Sequence, residues 1–459
     1  MNNAVILAGG QGKRMKAQIP KPMFEILGEP MLEWVIRACS DAGISNLAIV
    51  KGYMSKCIDE YIGGRYETVL QEERLGTGHA VMQAIPFLSA AGCGNTLVLC
   101  GDAPFVDADT IEKALHYHEM NNCAVTVITA KLDDPTGYGR IVRGEKGITG
   151  IVEQRDASPE ELKINEINSG AYWFETSALI EALGYLTREN SQGEYYLTDT
   201  VSILLSQGRR ADAYVSENAN VVLGANDRMG LLHLNEIARK AIIERHLENG
   251  VEFTCTDGII IGRDVKIGLG SEILPGTILR GSTVIGSNCV IGPNCIIENS
   301  TVGDDVRLNY VQMYESVAES GVKIGPFVHV RPGSLIKKGA KIGDFVEIKN
   351  SVIGDHTAVA HLTYIGDSDV GSKVNFGCGT VTVNYDGMTK SRTVIGDNCF
   401  IGCNTNLIAP VKLGRGAYTA AGTTVAKDVP DYALAIDRGE LKLKEGYSLK
   451  KLKGKLDPR

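Results

Sequence analysis

From residue 261 onward this chain repeats itself every six residues, and that period limits its fold more than any other feature. Ile261, Ile267, Ile273, Leu279, Ile285, Ile291 and Ile297 share one register. The register slips near residue 302 and resumes at Ile324, Val330, Ile336, Ile342 and Ile348. It runs again through Ile353, Val359 and Ile365, and through Ile395, Ile401, Leu407 and Leu413, with its last position near Val425. Self-similarity sustained at this period over so many residues marks a repeat architecture. An aliphatic side chain at every sixth position can point inward from successive faces of a triangular coil and stack on the coil above. Each coil then rises by one strand spacing, ~4.8 Å. Gly262, Gly268, Gly286 and Gly292 directly follow four of the inner residues. They are expected near corners, where the backbone takes conformations that side chains resist.

At 459 residues the chain exceeds one ordinary core, so more than one domain is expected. Residues 1–226 alternate short apolar runs (Ala4–Leu7, Leu47–Val50, Thr96–Leu99, Val125–Ile128) with helix-like stretches (Pro30–Ser40, Gly78–Leu88, Thr110–Asn121). That alternation predicts a mostly parallel sheet with helices on both faces, a Rossmann-like α/β domain. Residues 227–250 predict one linking helix, and residues 251–459 a β-helix domain with a tail, KLKEGYSLKKLKGK, read as solvated. The net charge of −8 argues against a nucleic-acid partner. The 11 cysteines contain no CxxC pair, which points to free thiols in a reducing compartment. The apolar run Ala4–Ala8 is short for a signal peptide, and no stretch reaches the ~18 apolar residues of a membrane helix. A soluble, cytoplasmic protein without a membrane partner is expected.

The first chemical feature is Leu7-Ala8-Gly9-Gly10-Gln11-Gly12-Lys13-Arg14-Met15, behind a predicted strand, with Lys21 close by in Pro20-Lys21-Pro22. Glycines leave backbone N–H groups open to a polyphosphate, and Arg14 and Lys21 can neutralise charge that builds during transfer. The GK[ST] ending of a Walker A loop is absent, and a Gly-rich loop is as often only a turn. The longer pattern resembles the sugar-nucleotide pyrophosphorylase family. It runs through Leu75–Ala80, Gly101-Asp102, Gly137–Arg140, Ile151–Glu153, Glu166–Gly170 and Gly193–Asp199. In that family a sugar 1-phosphate attacks the α-phosphorus of a nucleoside triphosphate and pyrophosphate leaves. The resemblance implies Mg²⁺ held by Asp102 and Asn226, with Leu7, Ala8, Gly9, Gly10 and Lys21 around the nucleotide. It also implies Gln71, Gly76 and Thr77 at the uracil, and Gly139, Glu153 and Asn168 at N-acetylglucosamine. Cys100 and Arg74 depart from it, standing where family members often have Tyr and Gln.

The second feature lies in the repeat. Ala360-His361-Leu362-Thr363-Tyr364 interrupts the register with polar groups, and an irregular stretch, Gly377–Thr393, carries Asn384-Tyr385-Asp386-Gly387 and Lys390. Loops leaving a regular scaffold are common carriers of binding groups. With Arg331, Lys349, Asn375 and Arg438, this set resembles the bifunctional N-acetylglucosamine-1-phosphate uridyltransferase/glucosamine-1-phosphate acetyltransferase family over essentially the whole chain. Hexapeptide repeats of this kind resemble the left-handed parallel β-helix family, which supplies the hand. The resemblance implies acetyl transfer from acetyl-CoA to glucosamine 1-phosphate, then uridylyl transfer from UTP. It makes His361 the general base, and places Arg331, Lys349, Tyr364, Asn375 and Asn384 around the sugar phosphate. Cys378, with its backbone N–H facing the oxyanion, Asn384, Tyr385, Cys403, Ala421 and Arg438 would contact acetyl-CoA. Cys403 stands where the family often has Ser. An acyl-cysteine route through Cys378 or Cys403 is disfavoured, since neither has a charged activator nearby in sequence. A homotrimer is also implied, with this site at subunit boundaries.

Two rivals compete. One is a single-activity hexose-1-phosphate nucleotidyltransferase with a non-catalytic β-helix, and His361, Asn384 and Lys390 argue against it. The other is a scaffold of the same shape, against which stand the loop at residues 9–14 and Asp102.

Overall fold

A computed structural model describes residues 2–16, 18–145 and 147–452. The last residues of the Lys-rich tail, 453–459, lie outside them. The chain divides into two compact units, residues 1–240 and 241–459. The division falls inside the helix Arg228–Glu248, so the expected linker is shared between the two.

In the first unit the strand Asn3–Ala8 lies between Asn46–Lys51 and Asn95–Cys100, parallel to both. The sheet continues through Glu67–Leu70 at one edge, and through Glu166–Glu175, Val125–Lys131 and Ala211–Val215 at the other. Near-continuous apolar strands suit burial on both faces. Ala4, Ile6 and Ala8 join one helix-covered core and Val5 the opposite one. Two details differ from the sequence reading. Glu166–Glu175 is antiparallel to both neighbours. The sequence reading named no strand there, and the structure carries the Asn-Ser-Gly as a bulge between Asn168 and Ala171. The helix expected over Gly78–Leu88 is two, Thr77–Gln83 and Ile85–Ala91. Pro86, which offers no N–H to the preceding turn, fits only at the start of the second.

In the second unit the strands of the repeat pair with the strand three further on, until the last pair, Tyr418–Thr419 with Leu434–Ala435. Among the described residues this gives three parallel sheets of ten, nine and ten strands, the three faces of a left-handed parallel β-helix. The inner column does not break at residue 302. Val302, Leu308, Met313, Ala318 and Ile324 are all buried and continue it with some five-residue steps. At these short corners the left-handed residue comes two places after the inner one, as in Asn299, Tyr310 and Glu315. At six-residue corners such as those of Asn294 and Phe327 it comes three places after. A periodicity search sees a slip where the prism only trims a corner. Small residues two places before the inner one stitch coil to coil. Ser316 N–H donates to Ser300 Oγ at 3.2 Å and Ser368 N–H to Ser351 Oγ at 2.9 Å. Cys289 and Cys399 occupy this column too, each thiol donating to a carbonyl of the next coil at 3.0 Å. Their bland reading as structural free thiols thus acquires a packing reason.

The glycines that follow inner residues work differently from expectation. Gly262, Gly268 and Gly286 have ordinary φ, and only Gly292, at +113°, lies in the left-handed region. What demands glycine at most of these positions is the coil above. A Cβ on Gly268 would sit 2.6 Å from the Gly286 carbonyl carbon, and one on Gly354 would sit 2.3 Å from that of Gly371. At Gly262 the nearest atom is 3.5 Å away. Gly354→Ala is therefore expected to cost about 1–3 kcal/mol in urea unfolding of the full chain. Gly262→Ala should stay within about 0.5 kcal/mol, and equal effects would contradict the stacking argument.

Candidate active sites

In the first unit the chain leaves Asn3–Ala8 toward one side of the sheet and returns with Asn95–Cys100 on the other. Open α/β sheets bind ligands at the strand ends of such a reversal. There Leu7, Gly9, Gly10, Gln11, Lys21, Gln71, Arg74, Gly76, Thr77, Cys100, Asp102 and Glu194 line a cavity of about 380 Å³. The Gly-rich loop is closed by Met15 N–H donating to Gly12 C=O and Lys21 N–H to Gly10 C=O, which brings Lys21 back over the strand ends. Its ammonium pairs with the Asp102 carboxylate and donates to Asn226 Oδ1 at 2.9 Å. One cation thus gathers both oxygens that the resemblance assigns to Mg²⁺.

The base end of the cavity is equally fixed. Gln71 Nε2 donates to Gly76 C=O at 3.1 Å, and Thr77 Oγ1 accepts from Leu197 N–H at 3.1 Å. Gly76 has φ +111°, and a Cβ there would lie 2.5 Å from Tyr195 C=O, so only glycine lets the segment reach the wall. Arg74 donates to Gln11 Oε1 at 3.1 Å and lies over the Tyr53 ring. Burial pushes the Cys100 thiol up to about 12, and it donates to Gly170 C=O at 3.6 Å. Cys100 therefore stays protonated at neutral pH and serves as wall. Behind it Gly139, Glu153 and Asn168 form a second group. Asn168 N–H donates to Gly139 C=O at 2.9 Å, and Asn168 Nδ2 to Tyr172 Oη at 2.6 Å. Burial, with the charges of Asp156 and Asp199, raises the Glu153 pKa. Two expected residues stand apart: Arg14 is exposed and does not line the cavity, and Ala8 is buried in the core beneath it. Glu194, which lines the cavity, falls in the Gly193–Asp199 part of the resemblance but is given no role by it.

In the second unit the register itself assembles a ridge. His361, Cys378, Cys403 and Ala421 each come two residues after an inner residue of the same face: Val359, Phe376, Ile401 and Thr419. They stack on four successive coils at one corner, joined by Asn404 N–H to Cys378 C=O and Gly422 N–H to Cys403 C=O, both at 2.7 Å. Asp344 is the ladder partner of His361 on the preceding coil. On the neighbouring face Tyr364 pairs with Glu347 and Gly366 with Lys349. Glu347 accepts from Arg331 Nη1 at 2.9 Å. Gly366 leaves room for the Tyr364 hydroxyl and the Asn384 amide, which a Cβ would meet at 2.3 and 2.9 Å. The irregular stretch is shorter than expected. Val381–Val383 is a regular strand with Thr382 inside, and only residues 384–392 leave the coil. Asn384, at the start of that loop, is buried against Asp367.

Asp367 is the residue that sequence reading missed. Burial alone would raise its pKa, but hydrogen bonds from Asn350 and Asn384 and the charges of Lys349 and Lys390 hold it below the ordinary carboxylate range. Contact with Lys390, then burial, lowers the Lys349 pKa against the pull of Asp367. Two ammonium groups beside one carboxylate form a seat that a phosphate dianion would relieve. The signal was available: Asp367 comes two residues after the inner Ile365, as the left-handed residue of a short corner. Asn375 is exposed on the His361 face, Tyr385 is exposed on the loop, and Arg438 is exposed beyond the last coil.

Residues 3–223 match the family model described as nucleotidyl transferase. Residues 282–309 match the hexapeptide repeat of succinyl-transferase, and residues 392–427 the bacterial transferase hexapeptide. Among curated relatives, the bifunctional protein GlmU of Acetivibrio thermocellus is 47% identical over 449 residues, covering 98% of this chain and 97% of its own. That of Caldanaerobacter subterraneus is 47% identical over 451 residues, 98% of each. That of Listeria monocytogenes is 44% identical over 446 residues, 97% of each. Since these alignments run through both units, the chain belongs to the bifunctional GlmU family and is an enzyme that joins a nucleotidyl transferase to a hexapeptide-repeat transferase.

Proposed function

We propose that the chain makes UDP-N-acetylglucosamine in two steps: acetyl transfer from acetyl-CoA to glucosamine 1-phosphate in the second unit, then uridylyl transfer from UTP to the product in the first. The observation that carries this reading over a single-activity enzyme is the ridge of His361, Cys378, Cys403 and Ala421, together with Lys349 and Lys390 gathered about Asp367 on the neighbouring face. A prism that only supports another domain has no use for two cations pressed together on its surface.

For acetyl transfer, Lys349 and Lys390 hold the phosphate, with Arg331 beside them, and Tyr364, Asn375 and Asn384 orient the sugar. His361 takes the proton from the amine as it attacks the thioester carbonyl, the role for which an imidazole suits near neutral pH. The Cys378 N–H, which takes no part in coil-to-coil bonding among the described residues, receives the developing oxyanion. The thioester then extends along Cys403 and Ala421, with Tyr385 and Arg438 at its flanks.

For uridylyl transfer, Gln71, Gly76 and Thr77 hold uracil, and Gly139, Glu153 and Asn168 hold the N-acetylglucosamine moiety. Backbone N–H groups of residues 9–12 and the Lys21 ammonium cradle the triphosphate, and Arg14 would have to swing in from the loop's exposed side to join them. A divalent cation fits this chain's donors: Asp102 and Asn226 offer two hard oxygens that already converge on one positive charge, and Mg²⁺ characteristically takes few protein ligands beside phosphate oxygens. Bound there, Mg²⁺ neutralises phosphate charge. Lys21 and the loop position the phosphates for in-line attack.

Homotrimer formation is part of the proposal. Tyr310, Phe327 and Phe345 stack at 5.2 Å spacing on the corner that leads to Leu362 and His361, and all four apolar side chains are exposed. A neighbouring subunit would cover such a strip. A cytoplasmic location agrees with the free cysteines, and among the described residues no helix is long and apolar enough to cross a membrane.

His361→Ala should lower acetyl transfer about 100- to 10,000-fold and leave uridylyl transfer near its original rate; equal loss of both would contradict the division of labour. Asp102→Ala should do the reverse and abolish tight Mn²⁺ binding measured by electron spin resonance in the presence of UTP; an unchanged metal response would remove Asp102 from the site. A fragment of residues 1–250 should keep uridylyl transfer, and a folded but inert fragment would show the first site to be wrongly drawn.

A further inference from the structure

We infer that Cys378 and Cys403 form a dithiol pair that a peroxide converts to a disulfide, reversibly shutting the acetyl-transfer ridge while nucleotidyl transfer continues. The inference rests on the reading of that ridge as the thioester track.

The two cysteines are neighbours in the ladder. Phe376 pairs with Ile401, and each cysteine lies two residues beyond its member of that pair. Asn404 N–H donates to Cys378 C=O, which continues the parallel register through the cysteines. Ladder partners on adjacent parallel strands lie about 4.8 Å apart, within the ~4.4–6.8 Å between Cα atoms that a disulfide accepts. Bridging them thus asks for side-chain rotation with little movement of the backbone. Both thiols can be reached: Cys403 is exposed and Cys378 partly so. Cys399 is not a competitor, because it is buried inside the coil and donates to Gly414 C=O at 3.0 Å.

The chemistry balances with hydrogen peroxide as the oxidant. One cysteine sulfur attacks a peroxide oxygen, the O–O bond breaks, and one water leaves as sulfenic acid forms. The second sulfur displaces the hydroxyl from that sulfenic acid as a second water, and two electrons have passed from the sulfurs to the peroxide. The bridge closes the segment 378–403, which contains the loop 384–392 with Asn384, Tyr385 and Lys390. It also turns two ridge side chains onto each other where the thioester would lie.

The full-length enzyme is treated with hydrogen peroxide, blocked with iodoacetamide and mapped by mass spectrometry. In parallel, both activities are measured before and after thiol reduction. The expected result is a Cys378–Cys403 linked peptide, lighter by two hydrogens. Acetyl transfer should fall about 100-fold, the scale of a misplaced reacting group. It should recover on reduction, with uridylyl transfer unchanged. Cys403→Ser should show the same acetyl rate before and after peroxide, whatever its own basal rate. Absence of the linked peptide, a linked enzyme with full acetyl transfer, or a Cys403→Ser enzyme as sensitive as the parent would each overturn the proposal. The failure of the underlying reading is separate: it would appear as a reduced parent enzyme with no acetyl transfer at all.

Discussion

The close approach of one coil to the next governs the second unit. Each coil gives its strand N–H and C=O groups to the coils above and below, so coil separation is set by hydrogen bonding and is not adjustable. That spacing explains glycine at positions such as 268 and 354, where neighbouring backbone leaves no room for a Cβ. It also explains why small side chains, hydroxyls and thiols among them, fill the column two places before the inner residues. And it explains how residues far apart in sequence, such as His361 and Ala421, come to share one ridge.

The same rigidity makes much of the protein legible from sequence. The inner residues repeat because the prism's interior is lined mostly by aliphatic side chains at five- or six-residue steps. Counting from them would have located Asp344 and Asp367 as well as His361. What escaped the count were corners shortened by a residue, which break numerical period without breaking the structure, and the strand Val381–Val383, whose inner position is held by Thr382 and not by an aliphatic residue. In the first unit four strands were plain as apolar runs, while Glu67–Leu70 and Ala211–Val215, short and partly polar, were not. The antiparallel strand Glu166–Glu175 was not either, because polar Asn168-Ser169-Gly170, at a bulge, interrupts its apolar run. At that bulge the Asn168 side chain bonds to Tyr172 and its N–H to Gly139 C=O.

The two candidate sites solve a common difficulty by different means. On the proposed reading, both hold phosphate against existing protein charge. In the first unit a single ammonium, Lys21, is balanced by Asp102 and Asn226, so the charges are held at rest by each other. In the second unit two ammonium groups share one carboxylate, and the imbalance remains. An incoming phosphate must disrupt a satisfied arrangement in the first case and completes an unsatisfied one in the second.

The trimmed corners carry a wider implication. A coil can lose a residue at an edge while its inner column stays in line, so the prism accepts changes of length in whole-residue steps. Each such step alters which side chain stands at the edge and on which facet its neighbours emerge. Lineages of such proteins could therefore relocate a binding surface along or around the shaft by small deletions, without rebuilding the interior that keeps the shaft straight.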